Sequence, residues 1–128
     1  MQPDELLALV TKELDDRKAE NIVTVDVIGK SSFTDYMIVA TGTSSRHIKA
    51  LCNYVSLALK EHGIYPKGIE GGQDSEWVLV DLGDIVLHVM TAQTREFYQL
   101  EKLWTVDNTE EEYEYEDDEQ LIPPIFQL

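Results

Sequence analysis

Four acidic side chains between residues 70 and 84 could bind a metal ion: Glu70, Asp74, Asp81 and Asp84. Metal-dependent phosphoryl transfer commonly uses two carboxylates at alternating positions of one strand, downstream of a glycine-containing turn. Here Gly71-Gly72 precedes Asp81, but the next acid, Asp84, lies across a turn instead of two positions along the strand. The metal-binding pattern is therefore incomplete. We favour polar residues at a hairpin end, and we expect no metal or cofactor.

A second candidate site is the sequence Gly42-Thr43-Ser44-Ser45-Arg46-His47, which follows a strand and opens a helix. Backbone N–H groups, hydroxyls and Arg46 could converge there on a phosphate at the positive end of the helix. The sequence matches neither the Walker A pattern nor the dinucleotide-binding glycine pattern. A hydroxyl cap needs only these residues, so we favour capping over phosphate binding.

The other reactive side chains do not define a catalytic set. His88 could act as a general base, but no Ser or Cys nucleophile stands in a recognisable motif beside it. Cys52 lies on the apolar stripe of a predicted helix and is assigned to the core. It is also the only cysteine, which excludes a disulfide within the chain and fits a reducing compartment.

Residues 77–90 contain two aliphatic runs separated by a short turn at Gly83, which predicts a β-hairpin. We expect Asp81 to lie opposite Asp84, which sets Leu79 opposite Val86 and Trp77 opposite His88. These six residues then share one face, because side chains alternate along a strand. The other face is wholly aliphatic and is predicted to be core; it consists of Val78, Val80, Ile85, Leu87 and Val89. A Trp ringed by polar groups is typical of a protein interface, so the first face is predicted to dock a partner.

The elements that would position this hairpin follow from the spacing of apolar residues. Helices are predicted over residues 3–18, from the turn at 42–47 to about residue 62, and over about 92–103. Strands are predicted over residues 22–28, 36–41 and 65–70, in addition to the hairpin. This order predicts an α/β fold, with a mixed β-sheet, helices packed mainly on one face and the other face partly open.

Charge is unevenly distributed along the 128 residues, whose formal net charge is −15. Residues 105–120 contain nine acids and no Lys or Arg, which predicts a disordered acidic tail over residues 105–128. The remaining part, residues 1–104, is predicted to be one domain. Its own excess of acids disfavours direct binding to DNA and favours a basic protein partner.

The N-terminus lacks the features of a signal peptide and no apolar run is long enough to span a bilayer, so we expect a cytoplasmic protein.

Several motifs, in this order, resemble the ribosomal silencing factor family, also called Iojap-like. They are Asp26-Val27-x-Gly29-Lys30-Ser31-Ser32, Asp35-Tyr36-Met37-Ile38, Gly42 to His47, Glu70-Gly71, Trp77 to Met90, and Arg95-x-x-Tyr98-x-Leu100-Glu101-x-Leu103-Trp104. The resemblance covers about residues 3–104. It implies a nucleotidyltransferase-like α/β domain without catalytic activity. The acidic tail departs from the family pattern, in which chains commonly stop soon after the last motif.

The resemblance also implies an activity. Family members bind the large ribosomal subunit through the ribosomal protein of the L-fourteen family. They sterically block association with the small subunit and so repress translation under nutrient limitation. A homodimer off the ribosome is a further expectation. The docking surface implied by the motif and the hairpin face consists of Trp77, Leu79, Asp81, Leu82, Asp84 and His88. The alternatives are a metal-dependent nucleotidyltransferase-like or nucleotide-binding enzyme, and an assembly factor for the large subunit.

Overall fold

A computed structural model describes residues 1–32, 34–71 and 74–105 of the chain, without the side chains of residues 103–105. Its helices are α1 (Pro3–Asp16), α2 (Ser45–Lys60), α3 (Ala92–Tyr98) and α4 (Leu100–Thr105). Its strands are β1 (Glu20–Asp26), β2 (Tyr36–Thr41), β3 (Gly68–Glu70), β4 (Trp77–Asp81) and β5 (Ile85–Met90). The predictions made for Gly72 and for the tail beyond residue 105 lie outside the described residues.

The five strands form one mixed sheet in the order β1-β2-β5-β4-β3. Strands β2 and β5 pair in parallel, whereas the other neighbours pair antiparallel. The chain between β2 and β5 includes the long helix α2, as parallel neighbours need a crossover connection. The predicted α/β class with a mixed sheet is confirmed.

The two long helices, α1 and α2, pack together on one face of the sheet. Both begin as the sequence predicts: Pro3 occupies the first turn of α1, and the Ser44 hydroxyl caps α2 by accepting from the N–H of His47 at 3.1 Å. The aliphatic hairpin face, predicted to be core, is buried beneath them; its members are Val78, Val80, Ile85, Leu87 and Val89.

The opposite face of the sheet is more closed than the sequence predicts. Leu100 at the start of α4 is fully buried and belongs to a second apolar cluster with Val25, Val27, Met37, Val39 and Met90. Leu79, Val86 and His88 are buried on the same face. The expectation of a partly open face is therefore wrong at these positions. The reason is that the short helices α3 and α4 return to this side, which the periodicity of a single strand does not reveal.

The hairpin register differs by two residues from the predicted one. Trp77 lies opposite Met90, Leu79 opposite His88 and Asp81 opposite Val86. The N–H of Leu82 donates to the carbonyl of Ile85 at 2.8 Å, so the two-residue turn consists of Gly83 and Asp84. Gly83 has a φ of 90°, which suits glycine at the first turn position. A shift of two keeps every side chain on its predicted face, whereas a shift of one would invert them all.

The last predicted helix is broken into two. Gln99 adopts a left-handed conformation, with φ 49° and ψ 50°, between α3 and α4. This break buries Leu100 against the sheet while Phe97 remains exposed.

Strand β1 also departs from regularity: its pairing with β2 shifts between Glu20 and Val23, and Asn21 there has a φ of 50°.

The limits of three other elements differ by a few residues from the prediction. Helix α1 ends at Asp16, strand β1 covers Glu20–Asp26, and strand β3 is limited to Gly68–Glu70. The carboxylate of Asp26 accepts from the N–H of Ile28 at 2.9 Å, which turns the chain out of β1. No helix in the described part of the chain is long and apolar enough to cross a membrane.

Candidate docking surface

The Trp77 side chain is fixed by a hydrogen bond at one end of the hairpin. Its indole Nε1–H donates to Nδ1 of His88 at 3.0 Å, and the two rings meet edge-on with centroids 5.8 Å apart. His88 is fully buried, and this burial lowers the pKa of its imidazole to about 3. The ring is therefore neutral at physiological pH and accepts through Nδ1. His88 thereby orients Trp77. Because His88 is buried, this side chain, considered above as a general base, does not contact solvent.

Two further aromatic side chains extend this end of the hairpin onto α3. The Tyr98 ring lies 4.8 Å from that of Trp77, and the Phe97 ring lies 4.9 Å from that of Tyr98. Exposure increases outward along the series: Trp77 and Tyr98 are half-buried, whereas Phe97 is 63% exposed. We call Trp77, Phe97 and Tyr98 the aromatic end of the surface. Aromatic residues with this graded exposure are typical of partner-binding sites.

The turn at the other end of the hairpin is acidic. Asp81 is half-buried, and its Oδ1 accepts from the N–H of Gly83 at 2.9 Å, whereas Asp84 is exposed. The carbonyl of Asp84 accepts from the N–H groups of Asp35 and Tyr36, at 3.1 and 3.0 Å, which ties the turn to the start of β2. We call Asp35, Asp81 and Asp84 the acidic end. It provides negative charge on a rigid turn, suited to a cationic partner group.

The structure brings together only part of the predicted docking surface. Trp77 and Asp81 stand four residues apart on β4, or about 13 Å at the rise of a strand. Between them, Leu79 and His88 are buried, and Leu82 beside the turn is buried as well. Leu79 and His88 share the sheet face of Trp77 but are buried, whereas Leu82 packs in the core beneath α1 and α2. Within the predicted set, only Trp77 at the aromatic end and Asp81 and Asp84 at the acidic end remain accessible at the surface.

The described residues contain no group of three or more His, Cys, Asp or Glu side chains arranged to hold a metal ion. Asp81 is engaged by the turn N–H, and Glu70 lies opposite Leu79 on the neighbouring strand. These two carboxylates therefore lie at a hairpin turn and on the edge strand β3.

The turn from Gly42 to His47 is a helix cap with a second structural role. Nδ1 of His47 accepts from the N–H of Thr43 at 3.0 Å, which leaves Nε2–H to donate to the carbonyl of Arg17 at 3.0 Å. His47 thereby joins the end of α1 to the start of α2. Gly42 allows the first turn of α2 to pack closely on the preceding backbone, since a Cβ at residue 42 would lie 2.6 Å from Ile48 Cγ1. The cap at Ser44 and the packing at Gly42 thereby give this motif a structural role.

Sequence reasoning missed a polar cluster centred on Arg95. Its guanidinium donates to the carbonyl of Asn21 at 2.6 Å and to the Thr41 hydroxyl at 2.9 Å, and Nη2 forms an ion pair with Glu101 at 2.9 Å. These residues border a cavity of about 280 Å³ between β1, α3 and α4. Arg95 therefore joins the irregular stretch of β1 to both short helices. Its separation of 74 residues from Asn21 means that no local pattern could have indicated this contact.

Comparison with known proteins places this fold in a family. A sequence model described as "Ribosomal silencing factor during starvation" matches residues 1–124. A ribosomal silencing factor from Chromobacterium violaceum is 44% identical over 104 residues, which are 81% of this chain and 85% of the relative. One from Haemophilus influenzae is 44% identical over 99 residues, covering 77% and 97% of the two chains.

More distant relatives and solved structures agree. A mouse protein named "Mitochondrial assembly of ribosomal large subunit protein 1" is 37% identical over 107 residues, covering 80% of this chain and 45% of the relative. A crystal structure of a protein from Chromobacterium violaceum superposes with a TM-score of 0.79 at 42% identity, covering 84% and 90% of the chains. A second, from Bacillus halodurans, has a TM-score of 0.71 at 39% identity, covering 79% and 94%.

The matching family description is that of a regulatory protein. The chain belongs to the ribosomal silencing factor family. The resemblance drawn from the motifs is thus confirmed. Translation regulation and association with the ribosome follow from that membership, and the family is one of regulatory proteins and not of enzymes.

Proposed function

We propose that this chain binds the large ribosomal subunit through the ribosomal protein of the L-fourteen family and sterically blocks association with the small subunit. Translation would thereby be repressed under nutrient limitation. The observation that carries this proposal is the family match over residues 1–124, whose description names silencing during starvation.

The geometry supports a contact made by both ends of the hairpin. The aromatic end offers Trp77 and Phe97 as apolar anchors, and the acidic end offers Asp84 as an exposed charge. Apolar anchors supply most of the affinity of an interface, whereas charges at its edge speed association and select the partner. A basic ribosomal protein suits this combination on a body that is itself net negative.

The central experiment is sedimentation of purified small and large subunits with the full chain. We expect the chain to sediment with the large subunit and the peak of joined ribosomes to shrink. A chain that stays at the top of the gradient while joining proceeds would contradict the proposed function. Sedimentation with mature large subunits but without a loss of joining would favour the assembly factor, which the name of the mouse relative also suggests.

Matched variants locate the contact independently of the function. We expect Asp84→Lys to reduce sedimentation with the large subunit, whereas Glu61→Lys, the same charge change on an exposed residue at the end of α2, leaves it unchanged. Phe97→Ala should also weaken binding, with Tyr65→Ala as a control of equal exposure, 63% against 62%. If Asp84→Lys and Phe97→Ala both bind as well as the original chain, the interface lies elsewhere, even where the chain still blocks joining.

The enzymatic alternative has a direct test. A nucleotide-binding protein would release heat when titrated with nucleotide, more strongly with Mg²⁺, and Asp81→Asn would abolish that signal.

The homodimer remains a prediction, which the dependence of sedimentation velocity on protein concentration would test.

A further inference from the structure

Helix α2 is the one helix in the described ranges with a net positive charge. Ser45–Lys60 contains Arg46, Lys49 and Lys60 and no acid, whereas α1 carries five acids and a single Lys. The whole chain, by contrast, has a formal net charge of −15. A concentration of cations on one element of so acidic a protein indicates a surface for a negatively charged group.

The exposed side chains of α2 form one stripe. Arg46, Lys49, Asn53, Leu57 and Lys60 are all exposed and follow the spacing i, i+3, i+7, i+11, i+14. At the rise of an α-helix, this stripe is about 21 Å long. Leu57, which is 55% exposed, lies in its middle, with Tyr54 beside it. The stripe therefore combines cations at both ends with an apolar centre.

The cations of the stripe differ from the two other arginines. Arg17 pairs with Glu13 and Arg95 pairs with Glu101, whereas no ion pair joins Arg46, Lys49 or Lys60 to any residue in the described ranges. The opposite face of α2, through Ile48, Leu51 and Val55, is buried against the sheet. The stripe therefore faces away from the hairpin face that carries Trp77.

The chain itself contains a segment of matching character. Residues 107–119 include nine acids and no Lys or Arg, with Tyr113 and Tyr115 among them. They follow the end of α4 at Thr105 by two to fourteen residues. Fourteen extended residues span up to about 48 Å, whereas a domain of this size has a radius of gyration of about 13 Å. The distal residues 114–119, which follow Thr105 by nine to fourteen residues, can therefore reach around the sheet to α2, whereas residues 107–113 are taken up by the connection.

A nucleic acid fits this surface less well than the acidic segment does. The affinity for a nucleic acid grows with the number of phosphates that Lys and Arg neutralise, and the stripe offers only three cations on a body that is net negative. A segment tethered to the same chain also has an effective concentration on the order of mM, which a free ligand must exceed.

We propose that the outer stripe of α2 is a docking surface for acidic polypeptide, and that its occupant is the distal part of this segment, residues 114–119 of the same chain. This distal part then lies on the helical side of the sheet, away from the candidate docking surface. This inference concerns a different face from the proposed ribosome contact and does not depend on it.

The test is paramagnetic broadening in the full-length chain, with a nitroxide label attached through Gln120→Cys. The native Cys52 does not compete for the reagent, since it is buried and its thiol pKa is raised to about 12. At an ionic strength of about 0.01 M, where the Debye length is about 30 Å, we expect the amide signals of Asn53 and Leu57 to lose intensity. Signals from the aromatic end should keep theirs. At about 1 M salt, where the Debye length is about 3 Å, the lost intensity should return.

Charge reversal identifies the partner residues. Arg46→Glu, Lys49→Glu and Lys60→Glu together should restore the intensity at Asn53 and Leu57. Reversal of three exposed lysines elsewhere, Lys12→Glu, Lys30→Glu and Lys67→Glu, changes the net charge equally and should leave the broadening in place.

Three results would overturn the proposal. The first is an absence of broadening on α2 at low salt, and the second is broadening that survives reversal of the stripe. The third is broadening of an isotope-labelled chain by a separate spin-labelled chain, which would assign the stripe to a second copy. Sedimentation with ribosomal subunits is measured separately, so failure of either proposal is distinguishable from failure of the other.

Discussion

The indole N–H of Trp77 and the imidazole Nδ1 of His88 form a 3.0 Å hydrogen bond across the two strands of the hairpin. The two residues are diagonal neighbours, because Leu79 lies directly opposite His88. Diagonal partners on one face are within reach of aromatic side chains. The bond links a half-buried aromatic residue at the candidate surface to a histidine in the interior, so surface geometry and core stability are coupled at this point.

We predict that Trp77→Phe destabilises the fold by about 1–3 kcal/mol, because it removes a donor from a buried acceptor. Urea unfolding followed by circular dichroism would measure the change. Tyr98→Phe, which removes a hydroxyl from the ring that packs on Trp77, should stay within about 0.5 kcal/mol of the original chain. Equal stability of Trp77→Phe and the original chain would show that the hydrogen bond contributes nothing.

The burial of His88 predicts a dependence of stability on pH. The pKa of His88 is lowered to about 3 in the folded state, against about 6.5 when unfolded, so below pH 6.5 the unfolded state binds more protons. The stabilisation is therefore complete above pH 6.5 and is lost as the pH falls towards 3. We expect about 2 kcal/mol of loss between pH 7 and pH 5. His88→Gln should lose most of that slope, and an unchanged slope would contradict the assignment to His88.

Arg95→Lys should destabilise the fold by about 1–3 kcal/mol, because a single ammonium group cannot replace the planar guanidinium that reaches Asn21, Thr41 and Glu101. Thermal or urea unfolding would measure this change. Arg46→Lys, at an exposed arginine, is the matched control and should cost less than about 0.5 kcal/mol. Similar losses in the two variants would contradict a bridging role for Arg95.

Gly42→Ala should cost about 1–3 kcal/mol, because the added Cβ would stand 2.6 Å from the buried Ile48 side chain and would force α2 away from the sheet. Gly68→Ala is the control, since a Cβ at that position meets nothing within 4 Å. The difference in urea midpoint between the two variants tests the prediction. A stable Gly42→Ala chain would show that Ile48 can move aside without loss.

The sequence by itself determined the elements, their faces and the family. Alternation along residues 77–90 correctly separated the aliphatic core face from the polar face, and the helical spacing of α2 correctly identified its buried stripe. These properties are local, because the directions of side chains are fixed by the period of the backbone. The motifs likewise indicated the ribosomal silencing factor family without any structure, and the comparison confirmed it.

Only the tertiary structure decided the register, the helix break and the burial of the second sheet face. Alternation has a period of two, so it cannot distinguish the predicted pairing of Trp77 with His88 from the observed pairing of Trp77 with Met90. Burial depends on what packs from distant parts of the chain. The break at Gln99 places Leu100 against the sheet. His88, on the face that the sequence predicted to be partly open, is fully buried. The residues predicted to form one docking surface therefore lie in two places, the aromatic end and the acidic end, and the buried residues Leu79 and His88 separate them.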